Sequence, residues 1–210
     1  MALPWVIIAA GGAAVAVVGY VGKKIYDKAT ESSSKSSSIP EVTIFLTGDR
    51  GVGKDTIVNI LKNGKFKKNH IPTSNLEKEF FCAYGKRLHV INTSGAADND
   101  DENIEARRKL EYGTRYVYVF RVDDYLTNPK VKKRVDFDLE VHKDICEKNS
   151  YIFKIIGTHK DKCLESGKSE EKIKTLANEL GKKYGKCKIL DLTKFDGKNK
   201  QNELCDFITD

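Results

Sequence analysis

Gly48-Asp49-Arg50-Gly51-Val52-Gly53-Lys54 fits the pattern GxxxxGK, in which glycines let backbone N–H groups curl around phosphate oxygens and the lysine adds a point charge. A helix opening at Lys54 would add the positive end of its dipole to the same site. The chemistry this suits is capture of a nucleotide's phosphates; the competing reading is an incidental Gly-rich turn. The next position is where a Ser or Thr hydroxyl would hold Mg²⁺, but here it is Asp55, followed by Thr56. A carboxylate about 4 Å from a phosphate costs roughly 4 kcal/mol at an effective dielectric near 20 unless a cation lies between them. Binding through Asp55 is therefore expected to depend strongly on Mg²⁺.

Such a loop works only between a strand and a helix. Val42 to Thr47 is a β-branched apolar run, and Lys54 to Leu61 has helical period. Strands are expected at Phe80 to Tyr84 and Arg87 to Ile91, with Gly85 and Lys86 forcing an antiparallel hairpin. Arg115 to Val122 and Tyr151 to Gly157 read as further strands, and Lys188 to Leu192 as the last. Asn128 followed by Pro129 opens a helix whose stripe is Val131, Val135, Leu139, His142 and Cys146. That face, packed on a sheet, accounts for His142 and Cys146 without a metal. Ile173, Leu176, Ala177 and Leu180 define a helix ending at Gly181, and Leu204, Phe207 and Ile208 a final one. The fold class is α/β, a six-stranded, mostly parallel sheet with one antiparallel strand and five helices.

The 210 residues suit one domain and an appendage. Residues 1–25 read as a transmembrane anchor: Met1 to Gly22 carries no charge, and 22 residues at about 1.5 Å each span roughly 33 Å. Lys23, Lys24 and Lys28 follow the apolar stretch, which places the domain on the cytosolic side of a single-pass membrane protein. Ala9, Gly12, Ala16 and Gly19 form a stripe of small residues that would let two such helices approach as a homodimer, or simply reflect Ala/Gly-rich composition. Residues 26–40, Ser-rich from Thr30 to Pro40, read as a linker, and 41–210 as the globular domain. The net charge of +7 is dispersed lysine, which suits a solvated surface rather than a specific nucleic-acid stripe. Five scattered cysteines without a CxxC pair suggest a reducing compartment.

Loop and strand order together resemble the Ras-like small GTPases over Glu41 to Asp210, which implies a P-loop NTPase three-layer sandwich binding GTP or GDP with Mg²⁺. On this resemblance Ile71-Pro72-Thr73-Ser74-Asn75 corresponds to the first switch, with Thr73 on Mg²⁺ and sensing the terminal phosphate. Asn92-Thr93-Ser94-Gly95 corresponds to DxxG: Asn92 stands where the family has Asp, and Gly95 keeps the N–H for the terminal phosphate. Asp55 gained and Asn92 lost leave the acidic count at the metal unchanged, so the two departures either compensate or mark a degenerate site. Ala96 stands where relatives use Gln to orient water, so hydrolysis is expected to be slow. Arg50 either supplies charge to the transition state or points to solvent. Asp98, Asp100 and Asp101 are expected in an acidic loop.

The base-reading NKxD element corresponds to Thr158-His159-Lys160-Asp161. Asp161 would accept two hydrogen bonds from guanine and His159 would stack on the base. Backbone contacts to the base are expected near Leu192-Thr193-Lys194. Lys54, Thr73 and Gly95 would thus serve the terminal phosphate, with Gly48 to Thr56 and Thr158 to Asp161 holding the nucleotide and Asp55 and Thr73 the metal. The implied function is a membrane-anchored GTP-binding switch or slow GTP hydrolase acting on an effector protein. Two other classes stand beside it: a P-loop nucleotide or small-molecule kinase, because GKDT resembles some nucleoside monophosphate kinases, and a pseudo-GTPase scaffold, because of Asn92 and Ala96.

Overall fold

The computed structural model describes residues 41–66, 76–95 and 100–210. The expected anchor and linker, and Thr73, Ala96 and Asp98, lie outside the described residues. Among the described residues no helix is long and apolar enough to cross a membrane.

Alternation of side chains builds the sheet. In β4, Arg115–Arg121, Val117 and Val119 face one core, while Tyr116, Tyr118 and Phe120 face the other, and all five are buried. A strand buried on both faces belongs at the centre of a parallel sheet, and β4 lies between β1, Glu41–Thr47, and β5, Ile152–Thr158, parallel to both. Adding β2, Glu77–Ala83, β3, Lys86–Asn92, and β6, Lys186–Ile189, gives the order β2-β3-β1-β4-β5-β6. Only the β2–β3 pair is antiparallel. This is the six-stranded, mostly parallel α/β sheet that the periodicity implies. The hairpin turn falls one residue earlier than expected: Tyr84 and Gly85 both take positive φ, as a tight two-residue turn demands, so Lys86 already belongs to β3.

Helices cover both faces. α1, Lys54–Asn63, buries Ile57, Ile60 and Leu61 beside Leu204 and Ile208 of α7, Lys198–Thr209, over Leu46 and Val119. Each such buried aliphatic side chain is worth about 1.5–3 kcal/mol, so this wall holds the helix that carries Lys54 firmly in place. The opposite face takes α4, Pro129–Asn149, which buries Val135, Leu139 and Cys146, and α6, Glu170–Tyr184. Asn128 caps α4 by accepting from Lys130 and Val131 N–H, with Pro129 at the first helical position as expected.

Four expectations need correction. Seven α-helices occur among the described residues rather than five: beside the four located above there are two short ones, α3 at Val122–Thr127 and α5 at Lys160–Glu165, which directly follow β4 and β5, and α2 at Asp100–Arg108. The helix begins at Asp100, so Asp101 lies in its first turn instead of in an acidic loop, where its carboxylate suits the dipole. α6 runs past Gly181 to Tyr184, because burying Tyr184 outweighs the roughly 1 kcal/mol cost of a glycine within a helix. β6 occupies 186–189 rather than 188–192, and Leu192–Lys194 is a 3₁₀ turn capped by Asp191, which accepts from Thr193 N–H.

Candidate nucleotide-binding site

β1 delivers the chain to Gly48 at the carboxyl edge of the sheet, the edge where parallel α/β sheets bind ligands. A Cβ on Gly48 would lie 2.0 Å from the Val119 carbonyl oxygen, so the loop leaves the sheet only with glycine there. Arg50 is exposed, Val52 is buried, and Gly53 is the N-cap residue of α1 in left-handed conformation. The N–H groups of Gly51, Val52, Gly53 and Lys54 go to no backbone carbonyl of the described residues, which leaves a run of donors at a helix start. Lys54 is buried and reaches back across the loop, donating from Nζ to the carbonyl oxygens of Gly48 at 2.7 Å and Asp49 at 2.8 Å. Burial lowers its pKa to about 8, against the raising pull of Asp55 and Asp49.

The two departures from the expected motif meet each other. Asn92 Nδ2, at the end of β3, donates to Asp55 Oδ1 in the first turn of α1. Asn92 is buried, and its Oδ1 has no hydrogen-bond partner among the described residues. An orphaned acceptor beside a carboxylate suits a hydrated Mg²⁺, an ion that keeps several waters and needs only one or two carboxylates besides phosphate. Among the described residues no group of three His, Cys, Asp or Glu side chains could form an all-protein cage. Gly95 lies against the loop itself: a Cβ there would sit 2.3 Å from Arg50 N and 2.5 Å from the Asp49 carbonyl carbon.

The segment after β5 joins the loop from the other side. Thr158 is fully buried, and its Oγ1 is 2.7 Å from the Val52 carbonyl oxygen and 3.1 Å from that of Phe120. One hydroxyl proton serves the shorter contact, and His159 Nδ1–H, 2.9 Å away, can donate to the same oxygen. His159 takes left-handed φ and caps α5, and burial together with Arg121 lowers its pKa. Asp161 follows in the first turn, half-buried, while Lys160 pairs with Glu170 at the rim. Leu192 of the 3₁₀ turn closes on the loop, its Cδ1 3.2 Å from where a Gly53 Cβ would be. The fold therefore brings together the Gly48–Thr56 loop, Asn92, Gly95 and Thr158–Asp161.

Further contacts at the site had no sequence signal. Arg134 of α4 pairs with Asp49. Asn103 of α2 donates from Nδ2 to Ser94 O at 2.9 Å, and Arg121 pairs with Asp123 and Asp124 at the mouth of the Asp161 region. Each partner is far off in sequence or set by a short helix with no periodic pattern. Beside the loop, between the sheet, α2 and α4, lies a cavity of 460 Å³. In its wall Tyr116 Oη is 2.9 Å from His142 Nδ1, and Tyr118 Oη donates to Asp138. Burial holds His142 down at about 4, so its ring is neutral, and His142 and Cys146 both face the sheet as the helical stripe requires.

Compared with protein-family models and with curated proteins, the chain matches none.

Proposed function

We propose that the chain is a guanine-nucleotide-binding protein of the Ras-like kind, a P-loop three-layer sandwich that acts as a switch or slow GTP hydrolase on the cytosolic side of a membrane. The observation that carries this reading is Thr158: its hydroxyl holds the Val52 carbonyl, so the phosphate loop and the Asp161 segment form one unit. A nucleotide with phosphates at Lys54 would then find Asp161 available to its base. Asp161 can accept two hydrogen bonds from guanine, which adenine does not offer.

Lys54 and the loop N–H groups would bind phosphate, and Gly95 would meet the terminal one. Asp55 and Thr73 would hold Mg²⁺, with Asn92 Oδ1 accepting from a bound water; the ion supplies charge neutralisation between phosphate and carboxylate. Arg50 is exposed, which favours the solvent-facing alternative, and Ala96 has no side-chain group to orient water. Turnover is therefore slow, and the signal lies in which nucleotide is bound. Residues 1–25 tether the domain, and the apolar run before Lys23 supports that part of the reading.

Calorimetric titration of the full chain in detergent with GDP, a non-hydrolysable GTP analogue and ADP, each with Mg²⁺ and with chelator, tests it. Guanine-selective, Mg²⁺-dependent binding is expected. Equal affinity for ADP would refute the role of Asp161, and no binding at all would leave the membrane-tethered scaffold as the function.

A further inference from the structure

The cavity beside the phosphate loop carries chemistry that nucleotide binding does not use. Its volume, 460 Å³, falls within the range of about 300–1,000 Å³ typical of small-molecule sites. Arg107 and Asn103 line it from α2, four residues apart and hence on one helix face with Cβ atoms about 5–6 Å from each other. Arg107 is half-buried and makes no ion pair with a carboxylate of the described residues; its guanidinium lies against the Tyr116 phenol instead. Asn103 spends its amide on Ser94 O, while its Oδ1 is buried without a hydrogen-bond partner among the described residues. Tyr116 and Tyr118 add aromatic surface opposite, and Asp138 is satisfied by Tyr118.

We propose that this cavity is a second ligand site, separate from the phosphate loop, for a flat organic anion bearing a hydroxyl or amino donor about one aromatic ring away from its charge. Arg107 pairs with the anion, Asn103 Oδ1 accepts from the donor, and the two tyrosines cover the body. A half-buried guanidinium without a carboxylate among the described residues and an orphaned acceptor on one helix face are both met by one such molecule. Asp49, paired with Arg134, and Gly95 are shared walls, so occupancy is coupled to the state of the phosphate loop. The site itself does not depend on whether that loop binds guanine.

The test is an amide-resolved NMR titration of the full chain in detergent with three probes: 4-hydroxybenzoate, benzoate and 4-methylphenol. Saturable shifts are expected at Gly95, Asn103, Arg107 and Tyr116, with 4-methylphenol weaker than 4-hydroxybenzoate by about tenfold, the worth of a charge-assisted contact. Arg107→Met should abolish the preference for the anions, whereas Asn103→Leu should remove only the preference for 4-hydroxybenzoate over benzoate. The dispersion of the amide spectrum shows that each variant is folded. Equal binding of all three probes overturns the proposal, as does the absence of saturable shifts. Shifts centred on Gly53 and Lys54 overturn it too, because they place the anion on the phosphate loop. Lys54→Ala should abolish nucleotide binding yet keep saturable shifts on the same cavity residues, with an affinity changed through the shared walls, so loss of nucleotide binding and loss of this site read out separately.

Discussion

Asn92 on β3 and Asp55 on α1 are hydrogen-bonded to each other, an amide facing a carboxylate across the start of the helix that follows the Gly-rich loop. Each residue departs from the expected motif, and the two departures are in contact. This favours compensation over a degenerate site, because one negative charge and one neutral polar partner are kept, with their positions exchanged.

Exchange implies reversibility. Asn92→Asp alone sets two carboxylates against each other, and Asp55→Asn alone removes the charge. The double variant Asp55→Asn/Asn92→Asp restores an amide facing a carboxylate. In a double-mutant cycle by thermal or denaturant unfolding, the pair should be more stable than the sum of the singles by about 0.5–3 kcal/mol. Mg²⁺-dependent nucleotide affinity should recover with it, and simple additivity would show that the two side chains act separately.

Lys54 sets a pH dependence. Its pKa in the fold, about 8, lies below the ordinary lysine value, so the unfolded chain binds the proton more tightly. Stability therefore rises with pH from about 8 to about 10.5, where the unfolded lysine also loses its proton. Nucleotide affinity runs the opposite way, since phosphate needs the ammonium form: it should fall by roughly tenfold per unit above pH 8. Titrations from pH 7 to 9.5 read this slope, and a flat profile would mean that Lys54 does not meet phosphate.

Thr158→Val keeps the side chain's shape but strips the Val52 carbonyl of its hydroxyl donor. A cost of about 1–3 kcal/mol is expected, with loss of nucleotide affinity, whereas Thr158→Ser should retain both. If the valine variant binds nucleotide as the parent does, the tie between loop and base segment has no functional weight.

At Gly95 the added methyl of alanine would overlap the backbone of Asp49 and Arg50. The loop and the end of β3 must part, at a cost of about 1–3 kcal/mol in melting experiments. Discrimination between GDP and a GTP analogue should disappear, because the glycine N–H would move away from the terminal phosphate. A variant that still prefers one of the two would place that sensing elsewhere.

Much of this architecture was legible in the residues because burial writes itself as period. Val117 and Val119 against Tyr116, Tyr118 and Phe120 announce a doubly buried strand, and Asn128-Pro129 announces a helix start. β6 was misplaced by two residues at its start and three at its end because the apolar run Ile189-Leu190 continues past the last paired residue toward the 3₁₀ turn, and hydropathy does not distinguish strand from buried loop. α3 and α5 are too short to show a helical stripe. Within the site, Lys54 opens a helix after the Gly-rich loop as its pattern implies, and Thr158, named through the resemblance, ends β5, yet the Asn92–Asp55 and Arg134–Asp49 contacts depend on strand order and helix placement, which pairwise spacing does not encode.

Val52 and Thr158 are 106 residues apart in the chain. During synthesis the phosphate loop is made early, but the hydroxyl that fixes it arrives only once β5 has been translated and has paired with β4. Contacts of such long sequence separation form late and slow folding. A nascent chain that has exposed Gly48 to Thr56 therefore does not have this Gly-rich loop in its finished form until β5 is made. Any ligand that stabilises the native state acts only after the sheet has closed around it, so ligand binding can rescue the finished protein and not its early folding.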